Sequence, residues 1–295
     1  MPATVEGGFS ELLSSLRASR LEMQAAASHR AAIEAKMRAA FGASAFFRTG
    51  SFGNGTNITG YSDVDYFAVL PFERTDDDSC RTLERVAAAL RQRFPLTANI
   101  RVNSPGVQLP FGLDGAEHTE IVPVISTGST LLGYRKFDMP DGNGGWMFSS
   151  PESHNAYVGN IDVAVAGNLK PLIRFLKGWR CFRGSPIRSF YLELFAAAYV
   201  ERLPGVLFDI DIAKLLGNLW DCQLAPLRDP RFSSDNLWLT PCSTENMRLF
   251  ALDQVGRSAD WADEAVEHRY AGRISEAYDR WRMVFNSRFP TYTGY

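Results

Sequence analysis

The stretch Asp63 to Pro71, reading DVDYFAVLP, constrains this chain more than any other. Its composition is that of a β-strand, and Pro71 ends it. Residues two apart on a strand point to the same face. Asp63 and Asp65 therefore present their carboxylates side by side, while Val64 and Tyr66 point the other way. Like charges held that close repel unless something positive sits between them.

What surrounds this strand sets the fold class. Residues 9–41 read as one long helix, with Leu12, Leu13, Leu16, Ile33, Met37 and Phe41 at helical spacings and Gly42 as its stop. The segment SAFFRTG (44–50) turns to strand composition. Residues 80–94 read as an amphipathic helix through Leu83, Val86, Ala87, Leu90 and Phe94. Residues 99–103 and 118–126 read as strands, with Pro123 marking an edge or a bend in the second. The Gly/Pro/Asp-rich run 138–151 reads as a long loop. Beyond it the texture changes, and 155–183, 188–203, 209–222, 244–257 and 259–287 all read as helices. The expectation is an α+β amino-terminal half and a helical carboxyl-terminal half, divided as residues 1–160 and 161–295.

Composition narrows the function. The chain has 295 residues and is 45% hydrophobic, enough for a sizeable core. Its 31 basic and 33 acidic residues leave a formal charge of −2, which gives no general pull toward nucleic acid. The four cysteines, Cys80, Cys181, Cys222 and Cys242, form no CxxC and no zinc spacing with histidine, so they read as reduced thiols. The first residues lack the pattern of a secretory signal, and no apolar run nears the ~20 residues of a membrane span. The expectation is a cytoplasmic protein.

The residues before the strand complete a chemical site. Gly50, Gly53 and Gly55 permit close backbone approach and unusual φ angles. Backbone N–H groups near Gly50 and Ser51 can cradle a triphosphate, and Ser51 adds a hydroxyl donor. Magnesium prefers hard oxygen ligands and is commonly held by one or two carboxylates plus substrate phosphates. Gly-Ser, a spacer, and Asp-Val-Asp within a strand together read as a metal–triphosphate site. The bland alternative is a surface hairpin with two solvated aspartates.

This arrangement resembles the signature of the polymerase-β-like nucleotidyltransferase superfamily, in which a third carboxylate follows on another strand. Glu120, in HTEIVPVIS (118–126), is its candidate here. With WMFSSPESH (146–154), LIRFLKGWR (172–180) and RSFYLELF (188–195) in order after EIVPVI, the chain is similar to the cGAS/DncV-like nucleotidyltransferases, bacterial relatives of cyclic GMP-AMP synthase. The similarity spans roughly residues 46–195. The Gly-Ser and Asp-x-Asp part is specific to the superfamily. The later parts count only through their order.

The resemblance implies a bilobal fold, a polymerase-β-like core of mixed sheet and helices plus a carboxyl-terminal helical bundle, with a central cleft. It implies synthesis of a cyclic di- or trinucleotide second messenger from nucleoside triphosphates, ATP among them, in anti-phage (CBASS) signalling. Two Mg2+ ions, with Mn2+ as a substitute, are held by Asp63, Asp65 and Glu120. Lys177 and Ser189 match the family's phosphate-binding lysine and serine, with Lys170 and Arg174 as rivals on the same helix face. Tyr191 either stacks on a base or is a core tyrosine. Asn54 and Thr56 either touch the acceptor nucleotide or fill the loop. Trp146, in its glycine-rich loop, suggests a mobile cover. A separate effector reads the product, and an accessory regulatory protein fits the same pattern. Nothing supports a zinc-ribbon insertion, so no double-stranded DNA activator is expected. Other acceptors (an RNA 3′ end, a protein, a small molecule) and a non-catalytic nucleotide-binding regulator are the alternatives.

Overall fold

The structure, a computed structural model, describes residues 3–17, 20–61, 63–111, 117–232 and 237–294. The chain divides into two compact units, one of residues 18–156 and one of residues 1–17 with 157–295.

The first unit is built on a seven-stranded sheet. Its strands are β1 (Ala45–Arg48), β2 (Val64–Leu70), β3 (Arg101–Asn103), β4 (Gly106–Phe111), β5 (Glu117–Ser129), β6 (Arg135–Pro140) and β7 (Trp146–Ser149). The order is β1-β2-β5-β4-β3, with β6 on β5 and β7 on β6. β2 and β5 run parallel and every other pair in this sheet is antiparallel. Alternation sorts the side chains of β2. Val64, Tyr66, Ala68 and Leu70 join Ile121, Val107 and Leu109 in one core. Helices α2 (Arg20–Phe41) and α4 (Ser79–Arg93) cover that face through Ile33, Met37, Phe41, Leu83, Val86 and Leu90. Phe67, Val69, Val122 and Val124 point the other way and form a smaller cluster with Phe137. A five-residue helix, α3 (Gly50–Asn54), lies between β1 and β2.

The second unit is helical, as the sequence predicts. It contains α6 (Leu169–Phe182), α7 (Ser189–Val200), α8 (Phe208–Asp221), α9 (Glu245–Tyr270) and α10 (Ile274–Val284), with a two-stranded ribbon, β8 (Leu227–Arg228) and β9 (Trp238–Leu239). Among the described residues no helix is long and apolar enough to cross a membrane.

Several expectations on elements are corrected. The helix over 9–41 is two: α1 (Val5–Leu16), which ends on Arg17 in an extended conformation, and α2. Residues 18 and 19 lie outside the described residues. The apolar residues of α1 and α2 serve different cores, so one straight rod cannot bury both. Phe9 of α1 packs on Phe175 and Trp281, with ring centroids 5.2 and 5.0 Å away, and α1 belongs to the helical unit. The helix over 155–183 breaks at Ala166 and Gly167, both at positive φ, so α5 (Pro151–Ala164) ends before α6 begins. The two helices expected over 244–287 break instead near Gly272, whose φ is 73°.

The loop expected over 138–151 is largely a hairpin of β6 and β7. Only 141–145 turn, around Asp141 Oδ1, which accepts from the amides of Asn143 and Gly145 at 2.7 and 3.0 Å. Trp146 lies on β7 and its Nε1 donates to the Asp76 carbonyl at 3.2 Å, so it is a fixed strand residue and not a mobile cover. Pro123 stands in the sheet interior, opposite Ala68 of β2. β4 pairs with β5 only as far as Ile121, and β6 joins at Ile125. The missing donor of Pro123 thus falls where β5 has a neighbour on one side alone.

Candidate active site

The ladder between β2 and β5 brings the predicted acidic residues together. The parallel register sets Asp65 opposite Glu120. Laterally paired residues share a face, so both lie on the face away from α2 and α4. Asp63 stands one residue before β2 and is electrostatically coupled to Glu120. All three are half-buried. Burial, and then the charge of Asp63, push Glu120 up to about 7. Burial also raises Asp63, against the pull of His118. Both shifts run in the direction expected of carboxylates buried with too little positive charge nearby.

Glycine 50 completes the site. It has φ of 59°, and a Cβ there would lie 1.8 Å from Asp65 Oδ2. The Asp65 carboxylate thus occupies the space that a side chain at position 50 would take. The Thr49 amide donates to the Asp65 carbonyl at 2.8 Å and ties the loop to β2. Ser51 is half-buried on α3, and its carbonyl accepts from the amide of Thr56 at 2.8 Å. Asn54 and Thr56 are 5% and 0% exposed. Their side chains are inside the loop.

Among the described residues, no three His, Cys, Asp or Glu side chains stand close enough to enclose a metal ion as they are. Glu120 itself is turned toward β4. A Cβ on Gly106 of β4 would lie 2.5 Å from Glu120 Cγ and 3.0 Å from Cδ. The glutamate therefore leans over β4, to the side away from Asp65. The donor set still suits magnesium, which takes hard oxygens and needs only one or two carboxylates when phosphates supply the rest.

The remaining predicted residues lie in the helical unit. Lys177, on α6, is 4% exposed and its Nζ lies 2.5 Å from Glu193 Oε2 on α7. Ser189 is the first residue of α7 and half-buried, four residues before Glu193. Lys170 and Arg174, also on α6, are half-buried. Burial and the nearby Arg17 lower the Arg174 pKa. Of the two readings open for Tyr191, the structure has the core one. Tyr191 is 1% exposed, stacks on Phe195 and donates its hydroxyl to the Ala225 carbonyl at 2.7 Å.

Sequence reasoning passed over three neighbours of the carboxylates. His118 shares a β5 face with Glu120 and acts on Asp63, and the period-two alternation of the predicted strand 118–126 already carried that signal. Gly106 and Gln108 were out of reach, because Pro105, Gly106 and Pro110 disguise β4 as a turn.

Comparison with known proteins gives one consistent answer. Residues 3–160 match the family described as SMODS, the Second Messenger Oligonucleotide or Dinucleotide Synthetase domain. A cyclic AMP-AMP-AMP synthase of an Acinetobacter species is 25% identical over 79% of this chain and 66% of its own length. A probable cyclic nucleotide synthase of Bacillus cereus is 22% identical over 59% of this chain and 52% of its own. The chain thus spans about half to two thirds of the curated relatives it matches. Among solved structures, E. coli CdnC with ATP aligns at a TM-score of 0.74 and 17% identity, covering 96% of this chain and 98% of that one. CdnC has also been solved in complex with a HORMA protein. Vibrio cholerae DncV with the linear intermediate pppA(3′,5′)pG aligns at 0.75 and 14% identity, covering 95% and 94%. Likeness at that identity establishes the fold, a polymerase-β-like α+β core with carboxyl-terminal helices.

Proposed function

The chain belongs to the family of second messenger oligonucleotide or dinucleotide synthetase domains, and from that premise we propose that it joins ribonucleoside triphosphates, ATP among them, into a cyclic di- or trinucleotide. The observation that carries this reading is the register of Asp65 against Glu120, with Asp63 beside them, on the face of the sheet away from α2 and α4. A hydroxyl oxygen of one nucleotide attacks the α-phosphorus of another. The bond to the bridging oxygen breaks and pyrophosphate leaves. A second such attack closes the ring of a dinucleotide.

Divalent ions, two Mg2+ or their Mn2+ substitutes, supply positive charge to the leaving oxygens and acidify the attacking hydroxyl when bound. Asp63, Asp65 and Glu120 are the residues to hold them. Glu120 is the residue to take the proton of the attacking hydroxyl, a role that its raised proton affinity suits. Gly50 and Ser51 offer backbone and hydroxyl donors to the triphosphate, with Asn54 and Thr56 shaping the loop. Lys177 and Ser189 are assigned to the phosphates through their match to the family's phosphate-binding lysine and serine. The protein works in the cytoplasm in anti-phage signalling, its product is read by a separate effector, and an accessory protein regulates it.

The test is incubation of the pure protein with all four nucleotides and MgCl2 and no added acceptor. Pyrophosphate release with phosphatase-resistant small products is expected. Asp63→Asn and Asp65→Asn should lose turnover and keep the melting temperature, since a neutral amide cannot anchor the ions. Product that appears only with added RNA, protein or a small molecule moves the reading to another acceptor. Nucleotide binding without pyrophosphate release, with Mg2+ or Mn2+, leaves a regulator.

A further inference from the structure

The Asp65–Glu120 pair is half of a longer row. Glu120 is also in register with Gln108 of β4, and Gln108 with Arg101 of β3. Asp65, Glu120, Gln108 and Arg101 therefore stand in one line across four strands, about 4.8 Å apart at the backbone and on one face. The outer two are already joined, because Arg101 Nη2 donates to Gln108 Oε1 at 3.2 Å. With its oxygen held by Arg101, the amide of Gln108 keeps both Nε2 hydrogens as donors, and its backbone stands in register with Glu120. Glu120 in turn leans over β4, filling the space above Gly106, two residues from Gln108 on the same face. Among the described residues no hydrogen bond offsets the cost of burying its charge.

We propose that Gln108, oriented by Arg101, is a positioning residue for Glu120. Its amide donates to one carboxylate oxygen of Glu120 in the ionised state and leaves the other to hold an ion. Each part of the arrangement has a job. Gly106 gives the glutamate stem room to reach the amide. Arg101 fixes which end of the amide is offered. A donor at position 108 favours the charged carboxylate that an ion requires, and partners of this kind are worth about 10–100-fold in metal affinity or activity. The inference rests on the proposed nucleotidyltransferase reading, since it assigns Glu120 to ion binding.

The test compares the wild-type protein with Gln108→Leu, Gln108→Glu and Arg101→Lys. Manganese binding is read by electron paramagnetic resonance without nucleotide, and turnover is read as pyrophosphate release from ATP. Gln108→Leu keeps the bulk and loses the donor, so it should weaken Mn2+ binding about tenfold and lower kcat with KM for ATP unchanged. Gln108→Glu sets a like charge beside Glu120 and should be worse than leucine in both readouts. Arg101→Lys keeps the charge but loses the fork, and should fall between wild type and leucine. If position 108 served only the sheet, the polar glutamate would be tolerated at least as well as leucine and Mn2+ affinity would not move. That outcome, in variants that melt like wild type, overturns the proposal and leaves the proposed function standing. A wild-type protein that neither binds Mn2+ nor releases pyrophosphate overturns both.

Discussion

At the residue scale the acidic trio carries a measurable cost. The folded pKa of Glu120, about 7, lies above its ordinary value of 4.5. Between those values the folded chain keeps a proton that the unfolded chain has lost. This contribution to stability is therefore full at low pH and declines as pH rises through the window, by an amount on the order of 1–3 kcal/mol. Urea denaturation in EDTA should show lower stability at pH 8 than at pH 5, after allowance for other groups. Glu120→Gln should flatten that difference. Adding Mg2+ at pH 8 should restore stability to the wild type and do little for the variant. Asp63 and Asp65 were legible in the sequence because a strand's period is two and needs no partner to be read. That Asp65 rests on Gly50 was not, because the contact depends on where a turn brings the loop back.

At the element scale the pairing of α6 with α7 changes what Lys177 can be. A lysine in a helix reads as an exposed cation, and this one is buried against Glu193. Breaking a buried pair from one side leaves an uncompensated charge, which costs about 3–5 kcal/mol. Glu193→Leu should lose about that much in urea denaturation, and Lys177→Met with Glu193→Leu should recover most of it. The folded double variant also reports on nucleotide. A raised KM for ATP supports Lys177 as a phosphate ligand, whereas an unchanged KM moves that role to Lys170 or Arg174. The hairpin of β6 and β7 and the whole of β4 escaped the sequence for a shared reason. Gly, Pro and Asp in short antiparallel strands look like turn chemistry, and only the neighbouring strand shows that the ladder is made.

At the scale of the whole molecule, chain order and packing part company. Residues 1–17 are the first in sequence, yet they join the helical unit whose other members begin at Tyr157. Phe9 is the reason, since it is 1% exposed and lies within 5.2 Å, centroid to centroid, of Phe175, Trp281 and Phe289. Truncating such a side chain typically costs 3–5 kcal/mol. Phe9→Ala should lower the unfolding free energy by about that amount, and hydrogen exchange should locate the loss in α6 and α10 and leave β2 and β5 protected.

By itself the sequence determined the strand that carries Asp63 and Asp65, the loop before it, the helical character of the carboxyl-terminal half, and a family resemblance that the comparisons bear out. These are local properties, written in periodicity and in residue types that only a few backbone conformations accept. Tertiary structure alone decided that Glu120 stands in register with Asp65, that Gln108 and Arg101 continue the same row, that Lys177 meets Glu193, and that α1 leaves α2 for another core. Each of these is a contact between segments far apart in the chain. A strand's own residues state which face they occupy, but the strand that lies beside them is chosen by the packing of the whole fold.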